Sequence, residues 1–123
     1  MTAHAKFGGS SAYRWMQCPG SIKMADATPP REPNRYMLEG TAAHELAEIC
    51  LTAGHDAEEF IGRVVRGIEV DEEMAQCVQV YLDDVRSVVH SNTRMKLQVE
   101  RKVVLNDECF GTVDAMCFDP DTD

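Results

Sequence analysis

The chain has 123 residues, 44% of them hydrophobic and 27% charged. That balance fits one compact domain, or part of one, and excludes a disordered chain. Twelve Lys and Arg stand against 21 Asp and Glu, a formal net charge of -9. A protein that coats nucleic acid by electrostatics alone is usually basic, so the composition argues against that class. It leaves room for an enzyme that gathers carboxylates around a cation.

No stretch approaches the roughly 18 apolar residues of a membrane span. The opening Met-Thr-Ala-His-Ala-Lys runs into Phe7-Gly8-Gly9 without an apolar core, so no secretory signal is expected. The five cysteines, Cys18, Cys50, Cys77, Cys109 and Cys117, are scattered and form no C-x-x-C. Together these features predict a cytoplasmic protein with free thiols and no membrane association.

In chain order, Ser10 or Ser11 can cap a short helix carrying Ala12, Trp15 and Met16. Cys18-Pro19-Gly20-Ser21 interrupts it, and Ile22 to Ala25 can resume it. Trp15 reads as an anchor of this helix in the core, with Arg14 left open as a contact to a nucleic-acid backbone. Residues 28–35, rich in proline, form a loop. A longer helix is predicted from about Tyr36 to Ala53, with Leu38, Ala42, Leu46, Ile49, Cys50 and Ala53 on one face and Gly54 as its stop. Residues 55–70 read as a loop and a short strand. Met74, Cys77, Val78, Tyr81, Leu82, Val85, Val88 and Val89 then follow helical spacing behind Asp71, a natural N-cap, and Asn92 can end that helix. Cys50 and Cys77 sit within apolar stripes and read as core residues.

Near residue 95 the period switches to two. Lys96 to Leu105 reads as a strand, Asn106-Asp107-Glu108 as a turn, and Cys109 to Phe118 as the returning strand. Asp119 to Asp123 looks like a further turn. Two strands alone make a poor sheet. A third strand beyond residue 123 is therefore expected, with this chain a single domain forming the N-terminal portion of a longer protein.

Two constellations can carry chemistry. A three-residue turn sets Glu100 opposite Asp114 on one face of the strand pair. Facing carboxylates repel unless something positive lies between them, and a divalent cation meets that need. A two-residue turn breaks that pairing, and the alternative to a cation is that one of the carboxylates points to solvent or pairs with Arg101 or Lys102. The second constellation is His44-Glu45-Leu46-Ala47-Glu48, with Thr41, His44 and Glu48 along one polar helix edge. It is near the H-E-x-x-H of zinc proteases, but Glu48 replaces the second His. The alternative is a solvated helix face.

The pieces together resemble a known family. Ser10-Ser11-Ala-Tyr-Arg-Trp-Met-Gln-Cys18-Pro19 is similar to the N-terminal serine-to-Cys-Pro segment of RecB-like nucleases. Gly40-Thr-Ala-Ala-His44 is similar to their helical G-x-x-x-H, and Glu100 with Gly111-Thr-Val-Asp114 to their strand pair. The chain thus resembles the front half of the PD-(D/E)XK nuclease superfamily, as found in phage and prophage proteins. The resemblance implies an α+β fold, about three helices packed on an antiparallel hairpin as part of an α/β/α core. It implies His44 and Asp114 as ligands of a catalytic Mg²⁺ or Mn²⁺, with Glu100 a further acidic site residue. It implies a metal-dependent, exonuclease-like hydrolase acting on DNA, with phage recombination or other proteins as partners. The family's third-strand D/E-x-K is missing, since no Lys follows Asp114. The chain alone is therefore expected to be inactive. Cys18 matches the first cysteine of the family's iron–sulfur members, but the C-terminal trio is absent and no cluster is expected. The alternative is a non-enzymatic accessory or interaction protein on a degenerate nuclease scaffold.

Overall fold

The computed structural model of the chain describes residues 4–122. The fold is α+β. Among the described residues it has four α-helices, α1 (Ala12–Gln17), α2 (Ser21–Ala27), α3 (Arg35–Ala53) and α4 (Glu72–His90). Two antiparallel pairs accompany them, a short one of β1 (Val64–Val65) and β2 (Ile68–Glu69) and a long one of β3 (Lys96–Asn106) and β4 (Cys109–Phe118). The chain forms two compact units, residues 33–100 with 114–122 and residues 4–32 with 101–113. Among the described residues no helix is long and apolar enough to cross a membrane.

The larger unit holds the core. Asn34 caps α3, its Oδ1 accepting from the Met37 amide at 3.0 Å. Gly54 ends the helix in the left-handed conformation, φ 74°, which glycine adopts at no steric cost. Asp71 caps α4, Oδ1 accepting from the Met74 amide at 2.8 Å, and Glu72 and Glu73 suit the positive end of the helix dipole. Ala42, Leu46, Ala47 and Cys50 of α3 pack with Ala75, Val78 and Leu82 of α4 in one buried cluster, joined by Ala57, Val65 and Val70.

Leu38 and Ala53, expected on the buried stripe of α3, are exposed, and Ala47 is buried instead. Cys77, read as core, is exposed. The apolar face of α4 is wider than the ten-residue core that covers it, so its margins stay in water.

Residues 55–70 are more ordered than a loop and a strand. Ala57–Phe60 form a 3₁₀ turn, and β1 and β2 pair Val64 with Glu69 and Val65 with Ile68. Arg66 and Gly67 between them have φ of 49° and 75°, the pair of positive angles that a tight two-residue hairpin turn requires. The Arg66 guanidinium pairs with Glu45 of α3, tying the hairpin to the helix.

Asp56, ahead of the 3₁₀ turn, accepts from Arg86 Nη1 at 2.5 Å and from Gln79 Nε2 at 3.2 Å. The bond from Arg86, and then that from Gln79, hold its carboxyl below the ordinary aspartate value. A carboxyl whose pKa is depressed by folding stabilises the fold above its unfolded value, and that stabilisation is lost as pH falls through the folded one. Asp56→Asn is therefore expected to lower Tm at neutral pH. The gap to wild type should close in thermal melts taken at progressively more acidic pH.

The smaller unit has no fully buried residue. Trp15 is not an anchor in a buried core. It is partly exposed, edge-on to Phe7 at 5.5 Å between ring centres, and its Nε1 donates to the Gly8 carbonyl at 3.0 Å. Ser11 stands at the start of α1 without capping it, because its hydroxyl donates back to the Gly8 carbonyl. The Phe7 amide donates to the Glu108 carbonyl at 2.8 Å, and Lys6 pairs with Glu108 at 3.2 Å.

Candidate metal centre

The buried stripe of α3 fixes the rotation of that helix. Ala42 and Leu46, one turn apart, face the core fully buried, so His44, midway between them in sequence, is turned to the other side of the helix, its side chain 46% exposed. The end of α4 and the ends of the long strand pair are clamped together. Asn92 does not end α4, which stops at His90. Its Nδ2 instead donates to Asp119 at 3.1 Å, and Arg94 pairs with the same carboxylate at 3.5 Å. The entry to β3 and the exit from β4 are thereby held side by side.

The turn of this hairpin differs from the sequence expectation. The strands run to Asn106 and from Cys109, leaving two residues, Asp107 and Glu108. Asn106 Oδ1 accepts from the amides of Glu108 and Cys109 at 3.0 and 2.9 Å, which closes the turn through the side chain. Glu100 and Asp114 nevertheless converge. Glu100 has φ 53° inside β3, a left-handed conformation that interrupts strand alternation as a bulge does. Simple counting from the turn cannot foresee this irregularity.

The structure brings His44, Glu100 and Asp114 together. His44 Nε2 donates to Glu100 Oε1 at 2.5 Å and stands 3.7 Å from Asp114 Oδ1. One ligand atom from each residue lies within 4.8 Å of the other two. Among the described residues, neither carboxylate has a Lys or Arg within ion-pairing distance, and the His44 ring stands beside both. Lys102, a possible partner for Glu100, lies over the Phe110 ring at 4.5 Å instead. Thr41 and Glu48 do not join the group. Thr41 Oγ1 donates to the Met37 carbonyl within its own helix, and the ligand group around His44 takes in Glu100 and Asp114 without Glu48.

The donor set suits a divalent cation. One imidazole nitrogen and two carboxylate oxygens are ligands that Mg²⁺, Mn²⁺ or Zn²⁺ accept. Ligand atoms about 2.1 Å from an ion and at right angles to each other stand about 3 Å apart. The 3.7 Å separation must therefore close slightly, and the 2.5 Å hydrogen bond must open as its proton leaves. Three protein ligands leave positions in an octahedral shell for water or a phosphate oxygen.

Sequence reasoning placed Tyr81 in the apolar stripe and missed its neighbours. Burial first, then the charges of Asp114 and Glu100, push its hydroxyl above the ordinary tyrosine value. Nothing in the spacing of α4 marks it, since an apolar face and a site wall read alike.

The left-handed backbone costs a non-glycine residue about 1 kcal/mol. Elsewhere in a strand glycine is the poorer choice by about 0.5–1 kcal/mol relative to alanine. At this position the order should reverse. Glu100→Gly is expected to be more stable than Glu100→Ala in urea denaturation, by about 1 kcal/mol. Alanine equal to or better than glycine would show that Glu100 carries no strain.

Over residues 4–122 the chain matches the profile of a family described as Protein of unknown function (DUF2800), and it belongs to that family. No solved structure matches it.

Proposed function

We propose that this chain carries the metal-binding half of a divalent-metal-dependent DNA nuclease, an exonuclease-like hydrolase of the PD-(D/E)XK type. The observation that carries the reading is the meeting of His44, Glu100 and Asp114, from three separate elements, within 4.8 Å. His44 Nε2, Asp114 and Glu100 would hold Mg²⁺ or Mn²⁺. The ion, when bound, polarises the scissile phosphate and lowers the pKa of an attacking water. The two carboxylates balance the charge of such a cation, and their exposure leaves the site open to a phosphodiester.

No Asp or Glu followed by x-Lys occurs after Asp114, so the residue that would help activate the water is absent from this chain. These 123 residues, mixed with linear DNA and Mn²⁺, are expected to give no degradation. The same absence favours a second reading, an interaction protein that keeps the scaffold without the reaction. The deciding experiment uses the product of the whole open reading frame that encodes these residues. Metal-dependent cleavage, lost in Asp114→Ala, supports the nuclease. No cleavage by the wild-type product contradicts it and favours the interaction protein.

A further inference from the structure

A wide groove of the larger unit lies between the start of α3, the β1–β2 turn and the start of α4. It has a volume of about 1080 Å³. Its floor is small and apolar, formed by Gly40, Ala43, Ile68 and Met74. Ala43, Ile68 and Met74 pack against the core, so the floor is firm. A Cβ at Gly40 would meet nothing within 4 Å, so open space stands directly over that residue. Tyr36 projects beside it, 81% exposed.

The walls are acidic. Glu39, Glu69, Asp71 and Glu73 line the groove against one basic residue, Arg35. Arg35 is already paired with Glu39 at 2.6 Å. Glu69, Asp71 and Glu73 have no basic partner among the described residues.

We infer that this groove is a docking site for an arginine-bearing, amphipathic segment of a partner protein. Guanidinium groups complement Glu69 and Glu73, and one can also lie on the exposed Tyr36 ring. Apolar side chains of the same segment fill the space over Gly40 and Ala43. A nucleic acid does not fit, because its phosphates would face an acidic wall. A second copy of this chain is disfavoured by its net charge of -9. The inference does not depend on the proposed metal centre, and its test uses no metal.

The probe is a fluorescein-labelled synthetic peptide of alternating arginine and leucine, titrated with the purified chain and followed by fluorescence anisotropy. Three variants are compared. Glu69→Lys/Glu73→Lys reverses the groove wall. Glu32→Lys/Asp107→Lys makes the same change in net charge outside the groove. Gly40→Leu fills the floor without changing charge and improves helix propensity, so loss of the fold does not explain its effect. The groove reversal and Gly40→Leu are each expected to weaken binding about tenfold, and the control by no more than about twofold. Equal weakening by the two charge variants would reduce the attraction to net charge and overturn the site. Undiminished binding by Gly40→Leu, tighter binding of a labelled DNA duplex than of the peptide, or no peptide binding by wild type would overturn it as well.

Discussion

Replacing Leu82 by alanine is expected to cost about 2–5 kcal/mol of unfolding free energy. Leu82 is fully buried and, with Leu46, Val70 and Cys50, is among the largest side chains in a core of ten residues. The loss combines the transfer energy of the deleted atoms with the cavity they leave. A small domain has only about 5–15 kcal/mol in total, so this variant should lose a large share of its stability and melt well below the wild-type chain. Leu105 is the natural control, since it is also a leucine but 81% exposed. Its replacement by alanine should change stability by less than about 0.5 kcal/mol. Urea denaturation of both variants checks the pair. A Leu82→Ala loss below about 1 kcal/mol would mean that α3 and α4 do not share a packed core.

A second large effect is expected from cation addition. A ligand that binds only the native state stabilises it by about 2.7 kcal/mol at a hundredfold excess over its Kd. Mn²⁺ should therefore raise the Tm of the wild-type chain by several degrees, in proportion to the logarithm of its concentration. Asp114→Ala should abolish that rise. Asp114 is well exposed, at 63%, and its loss should leave the metal-free Tm nearly unchanged. A drop in the metal-free Tm alone would mark Asp114 as structural. An equal rise in wild type and variant would place the cation on the acidic surface at large.

Much of this was legible in the residues. The caps at Asp71 and Gly54, the span of α3 to within one residue and the whole of β4 follow from local chemistry acting on the chain next to it. The errors arise where tertiary packing decides. Leu38 and Cys77 fit their stripes, but the opposing surface is too small to cover them. Trp15 is large enough to anchor a core, but its unit has none. The 3₁₀ turn and the small β1–β2 hairpin are set by Asp56, Arg86 and the Arg66-Gly67 turn, whose bonds reach across distant positions. The approach of His44 to Glu100 and Asp114 was expected from the resemblance. The left-handed backbone of Glu100 within β3 leaves no pattern in hydrophobic spacing. The charges that act on Tyr81 were hidden for a similar reason, because its apolar spacing says nothing of Asp114 and Glu100.

His44, Glu100 and Asp114 are proposed to form one cation site. The chain has four histidines, His4, His44, His55 and His90, and their ring resonances separate the possibilities. Small additions of Mn²⁺, followed by proton NMR, should broaden the His44 ring signals first, with the Glu100 and Asp114 amides, and leave the other three rings sharp. The same titration of Asp114→Ala should lose that selectivity. Broadening spread evenly over all four histidines, or absent from His44, would contradict the account.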